Sequence, residues 1–123
     1  MSKNDQGKFA YSGLERVLHE KARLSIMTSL FTNKNGCSFN DLKELCSLTD
    51  GNLSRHIQIL KKSDFINVLK GYHDNKPITI CKITELGKEK YLVYVNELEK
   101  VIRDAKKISG HEKDIKSIDL SHA

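Results

Sequence analysis

The chain has no tryptophan, a single proline and only three cysteines in 123 residues. The cysteines (Cys37, Cys46, Cys81) are odd in number and widely spaced, which excludes a disulfide framework and predicts reduced thiols. Apolar runs are a few residues long, as in Leu92 to Val95. A membrane span needs about 20, so no membrane partner is expected. Met1-Ser2-Lys3-Asn4-Asp5-Gln6 starts no apolar signal segment, and a cytoplasmic location is expected. There is no glycine-rich phosphate loop and no Gly-x-Ser-x-Gly. His19-Glu20-Lys21-Ala22-Arg23 is without the second histidine of a zinc protease motif, and no carboxylate pair stands out as acid and base. These absences point away from an enzyme.

What is present is charge, unevenly placed. The net charge is +5. Residues 51–83 contain six basic and two acidic side chains, so nearly all of the excess lies in one stretch. A local basic field on a neutral scaffold predicts a polyanion partner, against the plainer reading of a solvated basic face.

The spacing of apolar residues predicts a mainly helical single domain, residues 1–123, with a core from about 12 to 107 and flexible ends at 1–11 and 108–123. Ser12-Gly13-Leu14-Glu15 has capping-box spacing and predicts a helix to about Leu18. A second runs from about Glu20 to Phe31, ended by Asn33-Lys34-Asn35-Gly36. Asn40 is expected to cap a short helix, Asp41 to Cys46, with Phe39, Leu42 and Leu45 turned inward. Thr49 or Asp50 caps the next, to about Ser63. On that helix Leu53, His56, Ile57 and Leu60 share one face, while Gly51, Arg55, Gln58 and Lys62 lie opposite. His56, on the apolar face, reads as a hydrogen-bonded core histidine.

Phe65–Leu69 and Ile78–Ile83 are rich in β-branched residues and flank the polar loop Lys70 to Pro77, which predicts a hairpin with a basic tip. Thr84 caps a long helix from Glu85 to about Lys107. Its apolar residues Tyr91, Tyr94, Val95, Leu98, Val101, Ile102 and Ala105 form a sustained seam. The seam could cover this chain's own core. However, 23 residues of helix run about 35 Å, longer than such a core needs, so a partner helix is expected, helped by Leu14 and Leu18.

The order is thus helix, short helix, tight turn, basic helix, hairpin, long helix: a helix-turn-helix followed by a wing. A helix of this kind fits the major groove of duplex DNA, its N-terminal half nearest the base edges. Gly51, Asn52 and Ser54 permit close approach there. Arg55 and Gln58 can make bidentate base contacts. Lys61 and Lys62 lie toward phosphates, and Lys70, His73, Asn75 and Lys76 of the wing toward the adjacent backbone or minor groove.

Arg23-Leu24-Ser25-Ile26-Met27, Phe39-Asn40-Asp41-Leu42, Leu48 to Ile57 and Ile83-Thr84-Glu85-Leu86-Gly87 together resemble the small stand-alone winged-helix regulators of the MarR/ArsR group, over about residues 18–105. The resemblance implies a homodimeric prokaryotic transcriptional regulator. It makes Asn52, Ser54, Arg55 and Gln58 recognition-helix residues and Lys70 to Lys76 the wing. ArsR-type metal sensors carry paired cysteines in the helix before recognition. Here Cys46 stands alone, so the cysteines are expected to be apolar packers, with no metal and no cofactor. Two rival readings remain, a winged-helix protein-interaction module and a metal- or thiol-responsive sensor. The operator and any small-molecule effector are unknown from sequence.

Overall fold

The computed structural model describes residues 7–108. The expectations for residues 1–6 and 109–123 lie outside these. The elements are α1 (Lys21–Phe31), β1 (Cys37–Ser38), α2 (Phe39–Cys46), α3 (Asp50–Lys62), β2 (Ile66–His73), β3 (Lys76–Ile83) and α4 (Glu85–Ile108). The fold is the expected one, mainly helical with a hairpin wing and a long C-terminal helix. The strands form one antiparallel sheet in the order β1-β3-β2.

The core lies where α1, α2 and α3 meet the sheet. Leu18, Ile26, Met27, Leu30, Leu42, Leu53, Leu60 and Cys81 are fully enclosed. Burial of this apolar area is the main stabilising term. Two glycines let the layers approach. Gly36, at φ +90°, sits where an added Cβ would fall 2.6 Å from the Cys81 carbonyl oxygen. At Gly87 a Cβ would lie 2.1 Å from the Phe65 carbonyl oxygen. The start of α4 therefore rests directly on backbone, where Thr84 Oγ1 donates to the Asp64 carbonyl and accepts from Gly87 N–H.

Four local expectations are corrected. Residues 11–18 form turns, not a helix. The Glu15 carboxylate accepts forward from Leu18 N–H at 3.2 Å instead of reaching back to Ser12. Gly13 N–H is taken by Glu97 at 2.8 Å and Tyr11 OH by Asp104 at 2.9 Å. Tertiary bonds to α4 thus outcompete a short local helix, whose nucleation is unfavourable. Second, α2 begins at Phe39 because Ser38 is its cap, accepting from Asp41 N–H at 3.0 Å. Third, Leu45 is not turned inward but is 62% exposed. Cys46 takes the inward position instead, its Sγ 3.6 Å from Ser29 Oγ of α1.

Fourth, Lys70 to Pro77 is not a broad loop. The strands continue to a two-residue turn, Asp74-Asn75, closed by the His73↔Lys76 pair. Both turn residues have positive φ, 51° and 64°, the hairpin geometry that Asn and Asp tolerate best. Pro77 is accommodated because β1 reaches β3 only at Ile80 and Cys81, leaving β3 a free edge further out.

Candidate nucleic-acid interface

The recognition segment is held by its neighbours at both ends. Ser47 ends α2 in the left-handed conformation, φ 53°. Thr49 then caps α3, its hydroxyl accepting from Asn52 N–H at 3.2 Å. Lys43 of α2 pairs with Asp50 at 2.9 Å, bridging the turn. Asp50 at the start of α3 and Lys61 and Lys62 at its end match the helix dipole.

The inner stripe of α3 is closed. Leu53, His56, Ile57 and Leu60 are each no more than 7% exposed. His56 is the core histidine expected. Its Nδ1 lies 3.1 Å from Arg23 Nη1. A guanidinium can only donate, so Nδ1 accepts and the ring is held neutral. Burial lowers the His56 pKa; the Glu20 carboxylate, 3.8 Å away, opposes this, while Arg23 and Arg55 add to it. Glu20 is also shifted. Burial would raise it, but backbone N–H groups of Arg23 and Ala22, with the charges of His56 and Arg23, leave it lowered. Arg23 Nε also donates to the Val17 carbonyl at 2.6 Å. One guanidinium thus joins the N-terminal arm, α1 and α3.

The outer face of α3 is open. Gly51, Asn52, Ser54, Arg55, Gln58, Lys61 and Lys62 are all exposed. An added Cβ at Gly51 would meet nothing within 4 Å, so the backbone is accessible there. Arg55 Nη2 donates to Asn52 Oδ1 at 3.3 Å. These two exposed side chains of the N-terminal half of α3 therefore hold each other.

The wing divides by strand alternation. Val68, Lys70 and Tyr72 share a sheet face with their register partners Cys81, Thr79 and Pro77. That face turns toward α3. Ser54, Gln58 and Lys61 from the helix and Lys70 and Thr79 from the wing line one groove floored by Phe39, Ile57 and Val68. His73, Asn75 and Lys76 sit apart at the exposed tip, with His73 Nε2 3.4 Å from Asp74. Thr79 and the 79% exposed Tyr72 were missed by sequence reasoning. The signal was there, since both follow from Lys70 once the hairpin register is known.

The expected partner-facing residues fall into two groups. Leu18, Tyr91 and Tyr94 are buried in this chain's own core. Tyr91 OH pairs with Thr28 Oγ1 and Tyr94 OH with His19 Nδ1, each at 2.8 Å, and the Tyr91 ring packs on Phe31 at 4.8 Å. Leu14, Val95, Leu98 and Val101 are half-buried, and Ile102 and Ala105 are exposed. The cysteines are free thiols, with Cys37 and Cys81 buried and Cys46 half-buried. Among the described residues no His, Cys, Asp or Glu cluster has the shape of a metal site, and no helix is long and apolar enough to cross a membrane.

Residues 22–102 match the family model of a winged helix DNA-binding domain. An uncharacterised protein of Methanocaldococcus jannaschii is 32% identical over 83 residues, spanning 68% of this chain and 89% of that protein. The solved structure of a transcriptional regulator homologue from Pyrococcus horikoshii OT3 is 26% identical, with TM-score 0.73, and the match covers 80% of this chain and 98% of that one. MepR of S. aureus, solved as a complex with DNA, shares the fold at 14% identity and TM-score 0.69, covering 91% and 90% of the two chains. The neighbours are MarR-family regulators, in agreement with the resemblance read from sequence. The chain belongs to the winged helix DNA-binding domain family.

Proposed function

We propose that the chain is a sequence-specific duplex-DNA-binding transcriptional regulator that acts in the cytoplasm as a homodimer. The observation that carries this is the shared groove, in which Ser54, Gln58 and Lys61 of α3 face Lys70 of the wing. A helix in the major groove and a wing over the neighbouring strand straddle one stretch of phosphate backbone. The groove brings their cations to that stretch together. Arg55 and Gln58 read bases, while Lys61, Lys62, Lys70 and Lys76 bind phosphate, so affinity falls steeply with salt.

The dimer rests on α4. Near Tyr91 its apolar stripe is covered by Thr28 and Phe31 of α1 and near Tyr94 by His19 before it, but the stripe continues through Leu98 to Ile102, which is 49% exposed. A second copy of the chain covers that extension and places two recognition helices about one turn of DNA apart. The MepR complex with DNA and the regulator homologue of P. horikoshii are consistent with this reading. Selection from a random duplex pool tests it. Enrichment of a two-fold symmetric site, lost in Arg55→Ala, is expected; no enrichment with salt-insensitive behaviour favours a protein-interaction module instead.

A further inference from the structure

Cys37 and Cys81 are register partners on the antiparallel strands β1 and β3. Residues directly opposite in such a pair have Cα atoms about 4.5–5.5 Å apart and side chains on the same face. A disulfide accepts Cα separations of about 4.4–6.8 Å. Both residues are on the buried face, 5% and 0% exposed. Cys46 stands close by: its Sγ is 3.6 Å from Ser29 Oγ, while Cys37 Sγ is 3.9 Å from the Ser29 carbonyl. Cys37 and Cys46 therefore both lie against Ser29 of α1, and Cys37 and Cys81 stand opposite each other on neighbouring strands.

We propose that Cys37 and Cys81 are an oxidative modification site, forming an intramolecular disulfide with low-molecular-weight disulfides as the oxidant. In the first step one cysteine gives up its proton, and its thiolate attacks a sulfur of the small disulfide. A mixed disulfide forms and one small thiolate leaves, taking up a proton. In the second step the other cysteine, likewise deprotonated, attacks the protein sulfur of the mixed disulfide and releases the second small thiol. The protein pair loses two electrons and two protons, and the small disulfide gains them as two thiols. Burial sets the rate. It pushes the Cys81 thiol up to about 11 and raises that of Cys37, so few thiolates exist while the sheet is closed. β1 is only two residues long, so the reaction waits on its lifting from β3.

The bond has a structural consequence. The covalent loop from Cys37 to Cys81 contains α2, α3, β2 and most of β3. It encloses the helix-turn-helix and nearly all of the wing, and ties the start of α2 to β3. Shortening the unfolded ensemble in this way raises the melting temperature.

The test incubates the full chain under native conditions with oxidised glutathione, quenches with an alkylating agent and maps peptides without reduction. The expected result is a Cys37–Cys81 link in a single chain and a melting temperature several degrees higher, both reversed by reductant. Cys46→Ala retains the link, and Cys37→Ser loses both link and shift. A Cys37–Cys46 link, an interchain bond, a Cys37–Cys81 link that forms only in denaturant, or alkylation of all three thiols after exposure would each overturn the proposal. So would a Cys37–Cys81 link that leaves melting unchanged.

Discussion

α3 and α4 are both amphipathic, yet they meet solvent in opposite ways. On α3 the apolar stripe ends where its cover ends, and Leu53, His56, Ile57 and Leu60 are all enclosed. What it shows outward is amide, hydroxyl and cation. On α4 the stripe outruns its cover. Tyr94 is 2% exposed, and two turns further on Ile102 is 49% exposed. One helix is finished as a part of this chain and offers charge to a polyanion. The other is unfinished, and offers apolar surface whose natural complement is another apolar surface. Hydrophobic patterning alone does not separate the two cases; the reach of the rest of the chain does.

The largest effect is expected where the unfinished stripe is charged. Leu98→Glu with Ile102→Glu places charges in the proposed seam at about 3–5 kcal/mol each. Sedimentation should show monomer at concentrations where the parent chain is dimeric, with the fold retained by circular dichroism. A parent chain that is monomeric at tens of micromolar would remove α4 from one side of the comparison. Next is the finished helix. Leu60→Ala opens a cavity under α3 and should cost about 2–5 kcal/mol in denaturant unfolding. A cost below 1 kcal/mol would mean that α3 is less firmly seated than its burial implies.

Arg55→Ala should cost about 1–3 kcal/mol on the selected duplex and relax its base preference. Unchanged preference would reassign the outer face of α3 to phosphate alone. Lys76→Ala at the wing tip should weaken all duplexes alike and lower the salt slope by about one.

The smallest effect concerns pH. The folded-state pKa of His56 lies below its ordinary 6.5. The unfolded chain therefore binds a proton first as pH falls, and stability declines below about pH 6.5 until the folded state also protonates. Above that window His56 adds no pH dependence. His56→Gln should flatten this part of the stability profile. Glu20 has a lowered pKa, so its contribution is present above the ordinary carboxylate value and lost at lower pH. A decline in His56→Gln equal to the parent's would assign the effect to other groups.

The legible parts were those whose signal is local. The stripe of α3 stands as read, and its cap is Thr49, one of the two adjacent residues, Thr49 and Asp50, that the sequence offered. Three features were not legible for a common reason. β1 is a strand only because Cys37 and Ser38 find Cys81 and Ile80 far along the chain. The arm before α1 is unwound by Glu97 and Asp104, more than eighty residues away. The split of the wing into a groove face and a tip depends on register, which the Asp74-Asn75 turn sets. Sequence placed the residues expected to face DNA on α3 and the wing, but not the groove that joins Lys61 to Lys70.

Arg23 gives these two regions a common axle. Its Nε holds the Val17 carbonyl of the arm, whose Gly13 and Tyr11 grip α4, while its Nη1 holds His56 on the inside of α3. If the arm slides along α4 without Arg23, a half-buried guanidinium loses an acceptor at a cost of about 1–3 kcal/mol. If Arg23 follows the arm, it leaves the His56 ring. The chain therefore has no cheap motion that shifts the arm and spares α3. Whatever displaces the arm along α4 is felt, through one side chain, by the helix that carries Arg55.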